Sequence, residues 1–176
     1  GNGNGYRHLC MSTSGPKGCY QDISGNWAGP AKFILPYELY KYDCPDSGCT
    51  HIILGTNKVF ETVTGVGDWM VVSPVFSSYI TQLSYAVSLS TTAIVAFGNG
   101  QVQYGFGLGQ GAPATWVNVT GGNAVLPNRP ILDVTTDPAN PPIGYAPVAG
   151  LHPNTPTPPA PALPAHRPAH CPPVAP

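Results

Sequence analysis

Charge is what this chain has least of. Only 15 of its 176 residues are Asp, Glu, Lys or Arg, and they nearly cancel to a formal net charge of −1. Such a chain builds no positive field to gather phosphates or an anionic membrane surface, which argues against nucleic-acid binding. Apolar runs of about 18 residues are missing too, so no segment is expected to span a bilayer. Catalytic signatures are absent: there is no His-Glu-x-x-His, no Gly-x-Ser-x-Gly and no phosphate loop. The eight carboxylates stand in no spacing that demands pairing. The expectation is therefore no enzyme, no metal and no cofactor; were catalysis present, Glu61 and Asp68 would be the first place to look. The chain opens at Gly1 without Met or a hydrophobic leader, which reads as a processed or trimmed product.

The few charges are unevenly spread. From Trp69 to Asn128, sixty consecutive residues contain no Asp, Glu, Lys, Arg or His. Where this stretch meets water it offers Ser, Thr, Asn, Gln and Gly, a neutral surface that is easily covered. Such a face suits packing into an assembly, a coat of sugars, or sugar binding. Helical periodicity is also lacking, and the pattern is one of short β-branched and aromatic runs punctuated by Gly, Asn and Pro. Lys32-Phe33-Ile34-Leu35 reads as one strand. The run 79–89 reads as another, with Ile80, Gln82, Ser84 and Ala86 on one face and Tyr79, Thr81, Leu83, Tyr85, Val87 and Leu89 on the other.

Three tryptophans mark an internal repeat. Residues 8–27, 51–69 and 93–116 each run apolar strand, tight turn, second strand, loop and tryptophan, with spacings of 42 and 47 residues between the tryptophans. Gly15-Pro16-Lys17-Gly18, Gly55-Thr56-Asn57 and Gly98-Asn99-Gly100 supply the turns. His8 and His51 fall at matching places where the third segment has Ala93, which favours a structural or surface role for both. A period in the low forties with short strands is the signature of a propeller blade. In Trp116-Val117-Asn118-Val119-Thr120-Gly121, and partly in Trp69-Met70-Val71-Val72, the chain resembles tectonin-type lectin repeats, over residues 8–122. The resemblance implies blade-like sheets and sugar binding. Because three units fall short of the roughly four to eight blades of a closed ring, the expected fold is all-β. It is built of three repeated antiparallel hairpin or four-stranded units, as a sandwich or a partial propeller. Trp27, Trp69, Trp116, Tyr104 and Phe106 are the candidates for sugar stacking or an interface. In Tyr104–Gly111 every second residue is glycine, and an extended chain would gather those glycines on one face, where a ring or a second sheet can approach closely.

Sixteen of the 22 prolines lie at or after Pro127, ten of them in the last 26 residues. Proline lacks the N–H donor and fixes φ, so the expected division is a β-rich body over 1–134 and an extended polyproline II arm over 135–176. The arm is expected to dock on its own body, on a neighbouring subunit or under glycan. Five cysteines leave one over. Cys10 and Cys19 flank the first turn and Cys44 and Cys49 close a small loop, both arrangements suited to local disulfides, while Cys171 is placed to tie the arm to the body or to another subunit. Their spacings fit zinc poorly, and the His166, His170, Cys171 cluster is stiffened by proline and lacks a supporting shell. Asn118-Val119-Thr120 is an N-glycosylation sequon. Thr155, Pro156, Thr157, Pro158 and Pro159 form a mucin-like or hydroxyproline-rich pattern, and here the arm resembles the hydroxyproline-rich glycoproteins of plants and green algae. Disulfides and glycans together point to a secreted protein. The expected function is a structural subunit of an extracellular filament, wall or surface appendage. Its partners are further copies of itself, covalent glycans and, as a further candidate, polysaccharide. The alternative is a secreted lectin with the arm as its stalk.

Overall fold

The computed structural model describes residues 27–42, 49–65, 67–121 and 125–150, together with two short upstream strands. Among these residues every regular element is a β-strand, as the composition leads one to expect. The upstream strands, β1 (His8–Leu9) and β2 (Gln21–Asp22), pair antiparallel with His8 opposite Asp22. The architecture rests on two consecutive antiparallel meanders. The first is β3 (Tyr37–Leu39), β4 (Ile52–Gly55), β5 (Val59–Thr62) and β6 (Met70–Val71). The second is β7 (Ile80–Ala86), β8 (Leu89–Phe97), β9 (Val102–Phe106) and β10 (Thr115–Asn118). Each is an open sheet with its strands in sequence order, and neither closes on itself. A small pair, β11 (Thr135–Thr136) and β12 (Gly144–Tyr145), follows.

Local chemistry sets the turns inside each meander. Between β4 and β5, the Lys58 N–H donates to Thr56 Oγ1 at 3.1 Å and the Thr56 N–H donates to the Lys58 carbonyl at 2.8 Å, closing the link in three residues. Between β8 and β9, Gly100 sits at φ +82°, and a Cβ there would also lie 2.7 Å from the Arg129 backbone, so glycine is required twice over. These are the second and third of the expected hairpins, and each leads through a loop to a tryptophan at the fourth strand. The turn of the first lies outside the described residues.

The two sheets stack face to face. Ile53, Val59, Val72 and Phe76, with Tyr40, pack from the first against Ile80, Leu83, Tyr85, Ala93, Val95 and Phe97 of the second. At Gly55 an added Cβ would come within 2.8 Å of Ile80, so the absence of a side chain sets the closest approach. The outer face of the first sheet, with Ile52, Leu54 and Phe60, is covered by Leu35, Trp69 and the half-buried Trp27. The far face of the second, with Ile94, Ala96, Val102 and Tyr104, is covered by Ile131, Val134, Leu126, Ala146 and Val148. The boundary expected at residue 134 therefore falls within this covering layer, which carries β11 and β12. Residues 151–176, with the rest of the expected arm, lie outside the described residues.

Two strand expectations are corrected. Lys32-Phe33-Ile34-Leu35 is a bend between Pro30 and Pro36; only Leu35 is buried, while Phe33 and Ile34 stand exposed and the strand starts after Pro36. The run 79–89 is not one strand, since Val87 and Ser88 turn the chain back into β8. Its alternation also breaks. Ile80 pairs with Phe97 but Gln82 pairs with Ala96, so two residues oppose one across a bulge at Thr81. The bulge moves Ile80 to the face of Leu83 and Tyr85, where it joins the inter-sheet core.

The glycine-rich run is likewise extended only as far as Phe106. Gly107, Gly109 and Gly111 all have positive φ and form a loop. Within the strand, Gly105 serves as the expected flat spot: a Cβ there would meet the Trp116 ring at 2.6 Å. We predict that Gly105→Ala lowers unfolding free energy by about 1–3 kcal/mol, as overpacking does. The loss should vanish in a Trp116→Leu background, as read by chemical denaturation of the single and double variants.

Candidate functional site

Polar side chains are scarce between the sheets, and those present converge on Tyr85. Register places Glu38 opposite Ile53 and Ile53 opposite Glu61, so the two carboxylates project from one face of the first sheet with a single strand between them. Glu61, 3% exposed, accepts the Tyr85 hydroxyl at 3.1 Å on Oε1 and the Gly109 N–H at 2.8 Å on Oε2. Glu38 Oε2 accepts the Tyr85 backbone N–H at 2.7 Å. Because β7 is the outer strand of its sheet, that N–H has no ladder partner, and the glutamate supplies one. Carboxylates of the facing sheet thus hold Tyr85 at both its backbone and its hydroxyl.

His51 completes the cluster. Its ring stacks on Tyr85 with centroids 6.0 Å apart, and Nε2 lies 3.7 Å from Glu61 Oε1 without a hydrogen bond. A side chain at Gly109 would strike this ring at 2.7 Å, so the glycine both makes room for His51 and offers its N–H to Glu61. Burial pushes the Glu61 carboxyl above its ordinary 4.5, opposed by the Gly109 N–H, His51 and Tyr85. Burial also raises Glu38, opposed by the Tyr85 N–H, Ser84 and Lys41. The Tyr85 phenol is driven well above its ordinary 10.0 by burial and by Glu61, so it acts only as a donor. Chemically, the arrangement can hold a proton in the core and tie two sheets together. Both Glu61 oxygens are occupied, and the half-exposed His51, Glu38 and Gly109 lie at the edges of the site.

Asp68 is not part of this cluster. It accepts the hydroxyls of Thr62 and Thr64, which hold its carboxyl below the ordinary 3.8. Thr62 points to the face opposite Glu61, so the two carboxylates singled out from the sequence are not brought together.

Of the five aromatic candidates, Trp69 and Tyr104 are core residues and present no ring face to a ligand. Trp27 packs on the outer face of the first sheet. Trp116 is half-buried, lies edge-on to Phe76 and donates Nε1–H to the Val72 carbonyl at 2.9 Å. Phe106 is 41% exposed and stacks on Tyr104 at 6.0 Å. Val117, the register partner of Tyr104, is also exposed, and so are Ile143 and Tyr145, which flank Gly144; the Cβ position of Gly144 faces the Tyr104 hydroxyl, so the two flanking side chains alternate to the outer side of the covering layer. At the rim, the Tyr145 hydroxyl donates to Asp137 at 3.2 Å.

Sequence reasoning missed Glu38, His51, Tyr85, Gly109, Ile143 and Tyr145 as site residues. The lone His51 at the head of an apolar strand and the alternating glycines were the available signals. Asn118 is exposed on β10. Cys49 is disulfide-bonded, and Cys10, Cys19, Cys44, Cys171, Thr155, Pro156, Thr157, Pro158 and Pro159 lie outside the described residues. Comparison with protein-family models, curated proteins and solved structures finds no match for this chain.

The raised carboxyls fix the sign of a pH effect. Above 4.5 and up to its raised value, folded Glu61 still holds a proton that the unfolded chain has released, so stability falls as pH rises through that window. Each pH unit inside the window removes at most about 1.4 kcal/mol for this group. Asp68 and Asp137, both lowered from 3.8, act oppositely and at lower pH. Thermal melts should therefore show greater stability near pH 5 than near pH 8, and Glu61→Gln should reduce that difference.

Proposed function

We propose that the chain is a structural subunit of an extracellular glycoprotein assembly, a filament, wall or surface appendage, in which copies pack through the flank of the second sheet. The observation that carries this reading is a set of exposed apolar side chains on this flank, Phe106 and Val117 on the second sheet and Ile143 and Tyr145 on the layer that covers it, each between 41% and 52% exposed. Exposed apolar clusters of this kind are stabilised by being covered. Little opposes their coverage here, because Phe106 and Val117 belong to the sixty residues without a charge. Each copy offers one such patch, and a contact between it and a different surface of the next copy propagates into an open polymer. The proline-rich residues 151–176 extend the contact from subunit to subunit, with Cys171 available for a covalent link.

A carbohydrate-binding reading draws on the same place. The half-exposed Tyr145 ring stands beside the Asp137 carboxylate, the pairing of apolar face and acceptor that a sugar uses, and Phe106 offers a further exposed ring.

Sedimentation velocity separates the two. The full chain should self-associate at tens of micromolar, the Phe106→Ser/Ile143→Ser variant should remain monomeric with its β-sheet circular dichroism intact, and truncation after Gly150 should shorten the assemblies. A full chain that stays monomeric at every concentration, and is retained on glycans through Phe106 and Tyr145, would replace the structural reading with the lectin one.

A further inference from the structure

The two meanders have four outer strands, β3, β6, β7 and β10, and an outer strand exposes backbone groups that can pair with another chain. Three of the four carry a visible guard. β3 follows Pro36 and contains Glu38. β7 has its Tyr85 N–H taken by that same glutamate. β6 is two residues long, runs into Ser73-Pro74, and is followed by a Val72 carbonyl that accepts the Ala114 N–H and Trp116 Nε1–H. On β10 that same contact ties only the start of the strand, through Ala114 and the Trp116 side chain, and leaves its Asn118 end without a guard. Thr115-Trp116-Val117-Asn118 contains no charge and no proline, and among the described residues no strand pairs with its far side. Along the chain the nearest charged residues are Asp68 and Arg129. A strand so rich in β-branched and aromatic residues with an open edge is an aggregation hazard.

The same strand holds the sequon. We infer that Asn118 carries an N-linked glycan that stands in for the missing charge as the guard of the β10 edge, leaving the apolar patch as the surface through which copies meet. Geometry separates the two surfaces. Val117 lies opposite Tyr104 and Asn118 opposite Gln103, so successive side chains put Val117 with the patch and Asn118 on the other face of the sheet. Asn118 is exposed, while Thr120 is 2% exposed. The Thr120 N–H, at 2.9 Å, and the Thr120 hydroxyl both donate to Asn118 Oδ1, so the amide nitrogen Nδ2 is the atom left for the sugar. In the transfer, Nδ2 bonds to the anomeric carbon of a lipid-diphosphate-linked oligosaccharide. The bond from that carbon to the diphosphate oxygen breaks, the diphosphate leaves with the electron pair, and the amide gives up one proton. A hydrated oligosaccharide beside the strand end blocks approach along the edge and supplies the solubility that sixty uncharged residues do not.

The inference rests on the chain being a secreted subunit, and its test is made on the full chain secreted from a eukaryotic host. Enzymatic release of N-glycans in heavy-oxygen water should convert Asn118 to a labelled Asp, located by peptide mass spectrometry. The deglycosylated chain and Asn118→Gln should both sediment several-fold larger and gain the infrared band of intermolecular β-sheet. Thr120→Ser, which keeps the sequon, should behave as the parent. Asn118→Lys, which loses the sequon but returns a charge to the edge on the face away from Phe106 and Val117, should keep the parent's size distribution; growth like that of Asn118→Gln would show that loss of the asparagine itself, not of the guard, is responsible. Deglycosylation-driven growth should persist in Phe106→Ser/Ile143→Ser. If that double variant assembles like the parent while the edge results hold, the patch reading fails and the guard stands. An unmodified Asn118 in the secreted chain, or a deglycosylated chain of unchanged size, overturns the guard.

Discussion

A carboxylate sealed between two sheets has to be answered from the facing side, and the answer to Glu61 specifies how the rest of this molecule is assembled. Desolvating the ionised group costs several kcal/mol. It is offset by two donors from separate parts of the second meander, the Tyr85 hydroxyl on β7 and the Gly109 N–H in the loop after β9. Hydrogen bonds to a charged acceptor contribute about 1.5–3 kcal/mol each. Only one relative placement of the sheets delivers both. That placement seats Leu108, next to Gly109, fully in the inter-sheet core. It also requires the positive φ of Gly109 and the space it leaves for His51. A purely apolar interface would tolerate sliding by a residue pair, whereas a buried acceptor with two fixed donors does not.

This use of glutamate has a consequence at the surface, because charge is in short supply. Glu38 and Glu61 are spent between the sheets, Asp68 and Asp137 cap turns, and Arg129 donates to the Gly150 carbonyl at 3.2 Å. The strands of the second meander themselves carry no charge to repel a neighbour; the nearest are on the layer that covers them. Solubility and selectivity in self-association must then come from shape, from the position of apolar side chains, and from groups attached to the chain. A charge-poor exterior and a charge-dependent interior are two sides of one allocation.

How far the sequence could be read depends on whether the deciding interaction was local. The all-β class and the β4–β5 and β8–β9 hairpins were legible because Gly55-Thr56-Asn57 and Gly98-Asn99-Gly100 carry their turn chemistry within a few residues. The bulge at Thr81 was not, since nothing in Tyr79-Ile80-Thr81-Gln82 announces that Ile80 must face Phe97 of the neighbouring strand. The glycine run gave the right physical idea, close approach, at Gly105 but the wrong backbone beyond Phe106, because alternating glycine fits both a flat strand and a left-handed loop. Glu61 stood out as a carboxylate in an apolar hairpin. Its partners Tyr85 and Gly109 lie 24 and 48 residues away, and only the stacking of the sheets brings them to it.

The proline-rich stretch after Pro127 makes the same point from the other direction. Proline removes ladder donors but leaves carbonyls, so a segment poor in regular structure can still be tied down. Leu132 N–H donates to the Pro147 carbonyl at 2.9 Å, Ala149 N–H to the Pro130 carbonyl at 2.8 Å, and Gln82 on β7 reaches the Leu132 carbonyl at 2.9 Å. Composition reads such a stretch as an arm, while its apolar side chains make it the third layer of the body. Half of the exposed apolar patch, Ile143 and Tyr145, comes from this layer, and the other half, Phe106 and Val117, comes from the sheet beneath. The two halves come to stand on the same flank only after the layer has docked over Ile94, Ala96, Val102 and Tyr104. If copies meet through both halves, assembly waits on that docking, and a chain with its second sheet still uncovered does not yet present the surface that would join it to the next.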